Sequence, residues 1–198
     1  MRHHLFARSV TITLLVLGLS GGAFAGPATD QLKPRMDRVI ATIENPALQG
    51  EAKTAQRRQA VRAITDSIFD WTEMARRTLG PHWDGRTAAE RKEFVALFRD
   101  LLERAYLGKI ERYGAETIAY LGEALDGRET TVRTRVTLKP GIDVGVDYRM
   151  ARRGGRWMIT DIVIETVSQV SNYRAQFESI IKTASYPELV RKIRAKLS

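Results

Sequence analysis

Three glycine turns, spaced fourteen residues apart, constrain this chain more than any other feature. Gly127, Gly141 and Gly155 divide residues 118–164 into four segments. Within the segments apolar and polar residues alternate, which is the period of a β-strand with one buried face and one solvated face. Short turns of this kind join antiparallel neighbours. The pattern therefore predicts a four-stranded antiparallel meander.

The last segment, residues 156–164, departs from strict alternation. Trp157 and Ile159 share the parity of Asp161, whereas Ile162 has the other parity. A β-bulge, or a strand that is covered on both faces, explains such a change of phase. We expect Asp161 to accept hydrogen bonds from a neighbouring arginine or from the backbone rather than to be reactive.

Before and after the strand segments, apolar residues recur at steps of three and four, which indicates helices with one buried face. The expected helices cover residues 30–43, 52–69, 71–79, 87–113, 170–184 and a short basic segment that begins at Pro187. Thr87 with Glu90, and Thr166 with Gln169, have the spacing of a capping box at a helix start. The fold class is therefore α+β, with N-terminal and C-terminal helices around one sheet.

The first 25 residues have the features of a secretory signal peptide. Basic residues precede an apolar stretch at 10–19, and residues 23–25 fit a small-x-small cleavage site. The apolar stretch is about ten residues long, well below the roughly 20 required to span a bilayer. We expect a signal peptide at 1–25 and a single domain at 26–198, which is 173 of the 198 residues.

Composition excludes most kinds of catalytic site. The chain has no cysteine and three histidines, and only His82 lies outside the expected signal peptide. A zinc site needs several convergent His, Cys or carboxylate ligands, and the motifs of serine hydrolases and phosphate-binding loops are missing. We therefore expect no catalytic residue, no metal and no cofactor. An exported chain without disulfides suits a Gram-negative periplasm.

Basic residues are dispersed along the chain. Without residues 1–25, the chain has 30 Lys and Arg against 23 Asp and Glu, a net charge of +7. Such a surface favours anionic partners, but nucleic-acid binding is disfavoured because the charge is not gathered into a patch and no RNA-binding motif is present. The basic cluster at 190–196 is expected to be a solvated helix face, with an anionic membrane or an acidic partner as the alternative.

Five segments in one order carry a family resemblance. They are MARRTLGPHW (74–83), EFVALFRDLLERAY (93–106), VDYRM (146–150), RWMITDIVIE (156–165) and VSQVSNYRAQF (167–177). Together, over most of residues 30–195, they resemble the MlaC, or toluene-tolerance, family of periplasmic phospholipid-binding proteins. The chain departs from the family after Glu165, where Thr166 stands at a position that is often glycine.

The resemblance implies an antiparallel sheet wrapped by helices, distantly like the nuclear-transport-factor-2 cone, with an apolar pocket between sheet and helices. It also implies a carrier without enzymatic activity, and we expect a monomer because a shuttle between two membranes is more simply monomeric. Such a carrier moves phospholipid between an outer-membrane lipoprotein complex and the ring component of an inner-membrane ABC transporter, and so maintains outer-membrane lipid asymmetry. Moving the roughly 30 methylenes of a two-chain lipid through water costs on the order of 20 kcal/mol, so a carrier needs a dry cavity.

Strand parity and helical phase place the expected pocket lining on the apolar faces of the strands and their flanking helices. The expected lining residues are Trp71, Leu79, Phe94, Phe98, Leu101, Leu102, Tyr106, Val132, Val136, Val144, Val146, Tyr148, Trp157, Tyr173 and Phe177. Arg174 is expected to pair with a carboxylate such as Asp161, or else to reach a lipid phosphate. Arg149 is a further candidate for an ion pair or a headgroup contact.

Two other functions remain open from the residues alone. A cone-shaped hydrolase or isomerase would use a pocket carboxylate, with Asp143, Asp147 and Asp161 as the candidates. A carrier for a hopanoid or another polycyclic lipid is the second alternative, because apolar walls do not encode the shape of their ligand.

Overall fold

The computed structural model describes residues 26–113, 115–139 and 141–198, without the side chains of 109–116. The expected signal peptide, Gly114 and Pro140 lie outside the described residues. The helices and strands, in chain order, are α1 (Pro27–Glu44), α2 (Thr54–Thr65), α3 (Trp71–Leu79), α4 (Ala88–Tyr113), β1 (Ala115–Asp126), β2 (Glu129–Leu138), β3 (Ile142–Arg153), β4 (Arg156–Ile164), β5 (Val167–Ser168), α5 (Gln169–Thr183) and α6 (Tyr186–Leu197). None of the described helices combines the length and apolar character that a membrane crossing requires.

The helices follow the predicted periodicity, with one difference at α2. This helix ends at Thr65 rather than Phe69, because the next residues contact β4 instead of continuing the helix. The backbone N–H of Ile159 donates to the carbonyl of Ile68 at 2.7 Å, and the N–H of Asp70 donates to the carbonyl of Ile159 at 2.9 Å. This bridge places the start of α3 against the sheet.

The sheet is an antiparallel meander in the order β1-β2-β3-β4-β5. Four strands lie between the predicted turns, but the prediction of four strands was wrong because the two-residue strand β5 pairs with the end of β4. The predicted irregularity of β4 is present, since Arg149 pairs with Asp161 while Met150 pairs with Ile159. Likeness to a nuclear-transport-factor-2 cone stays a prediction.

The turn from β4 to β5 has an unusual backbone. Glu165 and Thr166 have φ values of 46° and 72°, and the flanking residues Ile164 and Val167 pair with each other. Two successive positive φ values occur in type I′ turns, which favour asparagine and glycine. Because Thr166 lies in this turn, the predicted capping box with Gln169 was wrong. The N-cap of α5 is Ser168, whose hydroxyl accepts from the N–H of Ser171 at 3.0 Å.

A bulge in β1 positions α1 over the sheet. Tyr120 pairs with Thr134 and Gly122 pairs with Arg133, so the extra residue Leu121 reverses the parity of the strand. Glu123 consequently points to the covered face, where its carboxylate accepts from the N–H of Thr29 at 2.8 Å and the N–H of Ala28 at 3.3 Å. A carboxylate at a helix N-terminus also favours the helix dipole. From there α1 runs across the sheet toward the β2–β3 turn.

Most of the buried apolar side chains form two groups. The helix cluster lies between α3, α4, α5 and α6, with Phe94 and Phe98 fully buried at its centre. The sheet cluster lies between α1 and the inner face of the sheet, with Val132, Met150 and Ile159 fully buried. The inner face is the one that carries the even-numbered residues of β2 and β3.

We expect the substitution Thr166→Gly to stabilise the protein. A β-branched residue at positive φ is strained by about 1–2 kcal/mol, and glycine would remove this strain. The greater conformational entropy of glycine in the unfolded chain would offset about 0.5–1 kcal/mol of that gain. Chemical denaturation should therefore show a free energy of unfolding that is higher by about 0.5–1 kcal/mol. The control Thr117→Gly, in a strand, should lower it. A loss of stability in Thr166→Gly would show that the turn is not strained.

Candidate functional site

The predicted lining residues that lie on helices all belong to, or pack against, the helix cluster. They are Trp71, Leu79, Phe94, Phe98, Leu101, Leu102, Tyr106, Tyr173 and Phe177. Their aromatic rings contact one another: the Phe98 and Tyr173 centroids are 5.6 Å apart and edge to face, and those of Phe94 and Phe177 are 5.7 Å apart. These rings fill the space between their helices, as in an ordinary core. Their participation in a pocket stays a prediction.

The predicted lining residues that lie on strands are separate from the helix cluster. Val132, Tyr148 and Trp157 are buried in the sheet cluster, and Val146 packs against it. Val136 and Val144 are only partly buried. The sequence therefore predicted one lining, whereas the structure places its members in two clusters and an uncovered part of the sheet. Phe69 packs against both clusters and joins them.

The inner face of the sheet is covered unevenly. Toward the β1–β2 and β3–β4 turns, Val132, Met150 and Ile159 are fully buried in the sheet cluster. Toward the β2–β3 turn it carries an apolar strip of cross-strand neighbours, each partly buried or exposed: Ile118, Val136, Leu138, Ile142 and Val144. Ile142, at the rim, is 54% exposed. The strip is thus apolar surface on the inner side of the sheet that no cluster of described side chains covers.

A polar pair lies where α4 approaches the start of α5. The hydroxyl of Tyr106 donates to the side-chain carbonyl oxygen of Gln169. The Gln169 side chain is buried, and its amide nitrogen donates to the backbone carbonyl of Val167 at 3.0 Å. Burial raises the pKa of Tyr106 to about 12, so its hydroxyl remains protonated. Sequence reasoning missed this pair, because Gln169 was interpreted as part of a capping box.

Asp161 has the partners that its position in an apolar strand predicted. It is 3% exposed, and its carboxylate accepts from the N–H of Val170 at 3.0 Å, the hydroxyl of Ser168 at 2.6 Å and the guanidinium of Arg149 at 3.2 Å. The expected pairing of Asp161 with Arg174 was wrong, because Arg149 lies directly across the strand pair. These bonds fix the start of α5 against β4.

Arg174 lies elsewhere, at the end of α3. The side chain is exposed, and its guanidinium lies against Gly80, whose φ is 54°. A Cβ atom at Gly80 would be 3.0 Å from Nε of Arg174, so the glycine allows this close approach. A contact of Arg174 with a lipid headgroup stays a prediction, as does one by Arg149, whose side chain is 52% exposed.

The carboxylates considered for catalysis do not face the apolar strip. Asp143 and Asp147 lie on the opposite, outer face of β3, where Asp143 accepts from the hydroxyl of Thr137 at 2.7 Å. Burial raises the pKa of Asp147, and Arg133 opposes that effect. Asp161 is on the same outer face, bonded to Arg149. No group of three or more His, Asp or Glu within the described ranges is arranged to hold a metal.

Two surface grooves differ in character from the strip. A groove of about 630 Å³ at the β1–β2 and β3–β4 turns has mixed walls, in which Leu125 and Trp157 alternate with turn glycines and with charged residues such as Arg128 and Arg152. A groove of about 490 Å³, where α2, α4 and α6 meet, is lined mainly by charged residues such as Arg62 and Glu103. Neither has the wide apolar wall that hydrocarbon chains require.

Two comparisons with known proteins, one of sequence and one of structure, agree with each other. A family model described as MlaC protein matches residues 33–195. The structure is similar to that of a phospholipid-binding protein from Ralstonia solanacearum, solved in complex with a phospholipid. The two share 26% sequence identity and superpose with a TM-score of 0.77, over 87% of this chain and 97% of that one.

We expect Asp161→Ala to lower the free energy of unfolding by about 2–3 kcal/mol, because it leaves the buried N–H of Val170 without an acceptor. The exposed carboxylate of Asp143 is the matched control, and Asp143→Ala should change the stability by less than about 0.5 kcal/mol. Urea denaturation at neutral pH measures both. Equal effects in the two variants would mean that Asp161 does not anchor α5.

Proposed function

The chain belongs to the MlaC family, and on this basis we propose that it is a periplasmic carrier of phospholipid. The acyl chains would lie on the apolar strip, between the sheet and the helices that cross it. The carrier would exchange lipid between an outer-membrane complex and an inner-membrane ABC transporter, and so support the lipid asymmetry of the outer membrane.

The observation that carries this proposal is the incomplete covering of the inner face. A sheet face that only builds a core would be buried along its length, as it is around Val132 and Met150. Here the row formed by Ile118, Val136 and Val144 remains partly open. Each methylene of a guest that is removed from water on such a surface contributes about 0.8 kcal/mol. Hydrocarbon chains therefore suit the strip better than polar ligands do.

The rim of the strip supports a site that meets lipid assemblies. Ile142 and Val167 are 54% and 50% exposed, and both lie at the end of the sheet away from the β1–β2 turn. Lys139 is close by, with its ammonium 3.9 Å from the carboxylate of Glu44. An exposed apolar rim with a cation beside it suits transfer of a lipid with an anionic phosphate.

A binding role requires no reacting group, which agrees with the positions of the carboxylates. Asp143, Asp147 and Asp161 all lie on the outer face, so a pocket hydrolase or isomerase would have none of them at the strip. Export by a signal peptide at residues 1–25, a single domain at 26–198 and a monomeric state are parts of the same proposal. Phospholipid is then cargo rather than a cofactor.

A test fills the strip with a larger side chain. We expect Val136→Trp to reduce the fraction of protein that carries lipid by about 10-fold, because overpacking at this site costs a bound chain about 1–3 kcal/mol. The protein is purified from cells, and native mass spectrometry gives the loaded fraction. Lipid extraction then identifies the cargo.

The matched control is Thr137→Trp, which places the same side chain on the outer face of the same strand. Its lipid load should equal that of the unmodified protein, and both variants should keep a cooperative thermal transition. A two-chain phospholipid as cargo supports the proposal. A polycyclic lipid as cargo, or equal loads in the two tryptophan variants, would contradict it.

A further inference from the structure

The hydroxyl of Tyr120 is buried without a hydrogen-bond partner among the residues that the structure describes. Tyr120 lies on the inner face of β1, directly opposite Thr134. It packs against the sheet cluster on one side, and Ile118 of the apolar strip is the next residue of β1 on the same face. The hydroxyl therefore lies at the boundary between the packed interior and the strip.

An unpaired buried hydroxyl is costly, and native proteins rarely keep one without a reason. Leaving such a group unsatisfied costs about 1–3 kcal/mol. Phenylalanine would supply the same ring without that cost. The position of the hydroxyl therefore indicates a partner that is not part of the protein.

The neighbouring polar groups form no hydrogen bond with this hydroxyl, although the hydroxyl of Tyr148 on β3 interacts with it electrostatically. The hydroxyl of Thr134 donates to the carbonyl of Val146 at 2.6 Å. The ammonium of Lys33 lies 5.3 Å from the centre of the Tyr120 ring and 3.4 Å from the carboxylate of Asp37. Asp37 and burial together raise the pKa of Tyr120, with burial the larger cause. The hydroxyl is thus a protonated, neutral donor in an apolar setting.

We propose that Tyr120 donates a hydrogen bond to an ester carbonyl of the bound lipid, and so selects acyl esters over ether-linked chains. This inference rests on the proposed function, because the lipid chains must lie on the strip for their ester groups to reach Tyr120. The esters are the polar atoms of a two-chain lipid that lie nearest its hydrocarbon. They are neutral acceptors, and the one proton of a neutral hydroxyl suits one of them.

A phosphate matches the position less well. An anionic phosphate enters an apolar interior only with charged partners that compensate its loss of hydration. Lys33, whose ammonium lies over the Tyr120 ring, is paired with Asp37 and has a side chain that is 56% exposed. Tyr120 therefore suits the junction of headgroup and chains rather than the headgroup itself.

The experiment is a competition between two lipids that differ only in their linkages. The protein, purified from cells, is incubated with vesicles that contain equal amounts of diacyl and dialkyl phosphatidylethanolamine with matched chain lengths. After the vesicles are removed, mass spectrometry of the bound lipid gives the ratio of ester to ether. We expect the unmodified protein to favour the ester by about 5- to 10-fold, as one hydrogen bond allows, and Tyr120→Phe to bring the ratio close to one.

The control is Tyr186→Phe, which removes a hydroxyl that donates to the carbonyl of Glu90 at 3.3 Å within the protein. This variant should keep the ester preference, whereas Tyr120→Phe should keep or raise the melting temperature because it removes an unsatisfied group. An unmodified protein that takes up both lipids equally, or a Tyr120→Phe ratio that stays unchanged, overturns the inference about Tyr120 alone. Failure of the unmodified protein to take up either lipid would overturn the proposed function instead.

Discussion

The carboxylate of Asp161 connects the sheet, through β4, to the helix cluster, through α5. It is buried in β4, yet it accepts hydrogen bonds from a free N–H group in the first turn of α5, at Val170, from the hydroxyl of the N-cap Ser168 and from the guanidinium of Arg149. A buried carboxylate is tolerated only with partners of this kind. Because these bonds reach the start of α5 from the outer face of β4, the anchorage of the helix does not use the inner face of the sheet.

This anchorage allows the helices to complete a core of their own. Rings from α4 and α5, such as Phe98, Tyr173 and Phe177, pack edge to face or tilted, with centroids 5.5–6.2 Å apart. The sheet cluster is completed separately by α1, whose N-terminus is fixed by Glu123. The helix cluster and the sheet cluster are each packed without using the whole inner face of the sheet. The part of that face outside both clusters is the apolar strip. The proposed site for hydrocarbon chains thus depends on how the core is divided rather than on any special residue.

Local patterns predicted most of the elements, and distant contacts decided what they missed. The alternation and the turn glycines predicted four strands, and the period of three to four predicted the helices, since both depend on near neighbours. The end of α2 depends on a backbone bridge to Ile159, and the N-cap of α5 depends on the pairing of β5. The predicted lining mixed residues of two clusters, because periodicity tells which face is apolar but not which faces meet. Tyr120 was missed because the lack of a hydrogen-bond partner for its hydroxyl depends on the positions of residues that are distant in sequence.

A carrier must release its lipid as well as bind it, and an incompletely covered strip suits both requirements. If every methylene of two chains were removed from water, about 20 kcal/mol would oppose release, and exchange would be extremely slow. Acyl chains that lie on partly exposed residues such as Val136 and Val144 would keep some contact with water. An acceptor protein or membrane could replace that water. Release then becomes a transfer between two apolar surfaces, with a small net change in buried area. The exposed apolar residues at the rim, Ile142 and Val167, are where such an acceptor surface would first make contact.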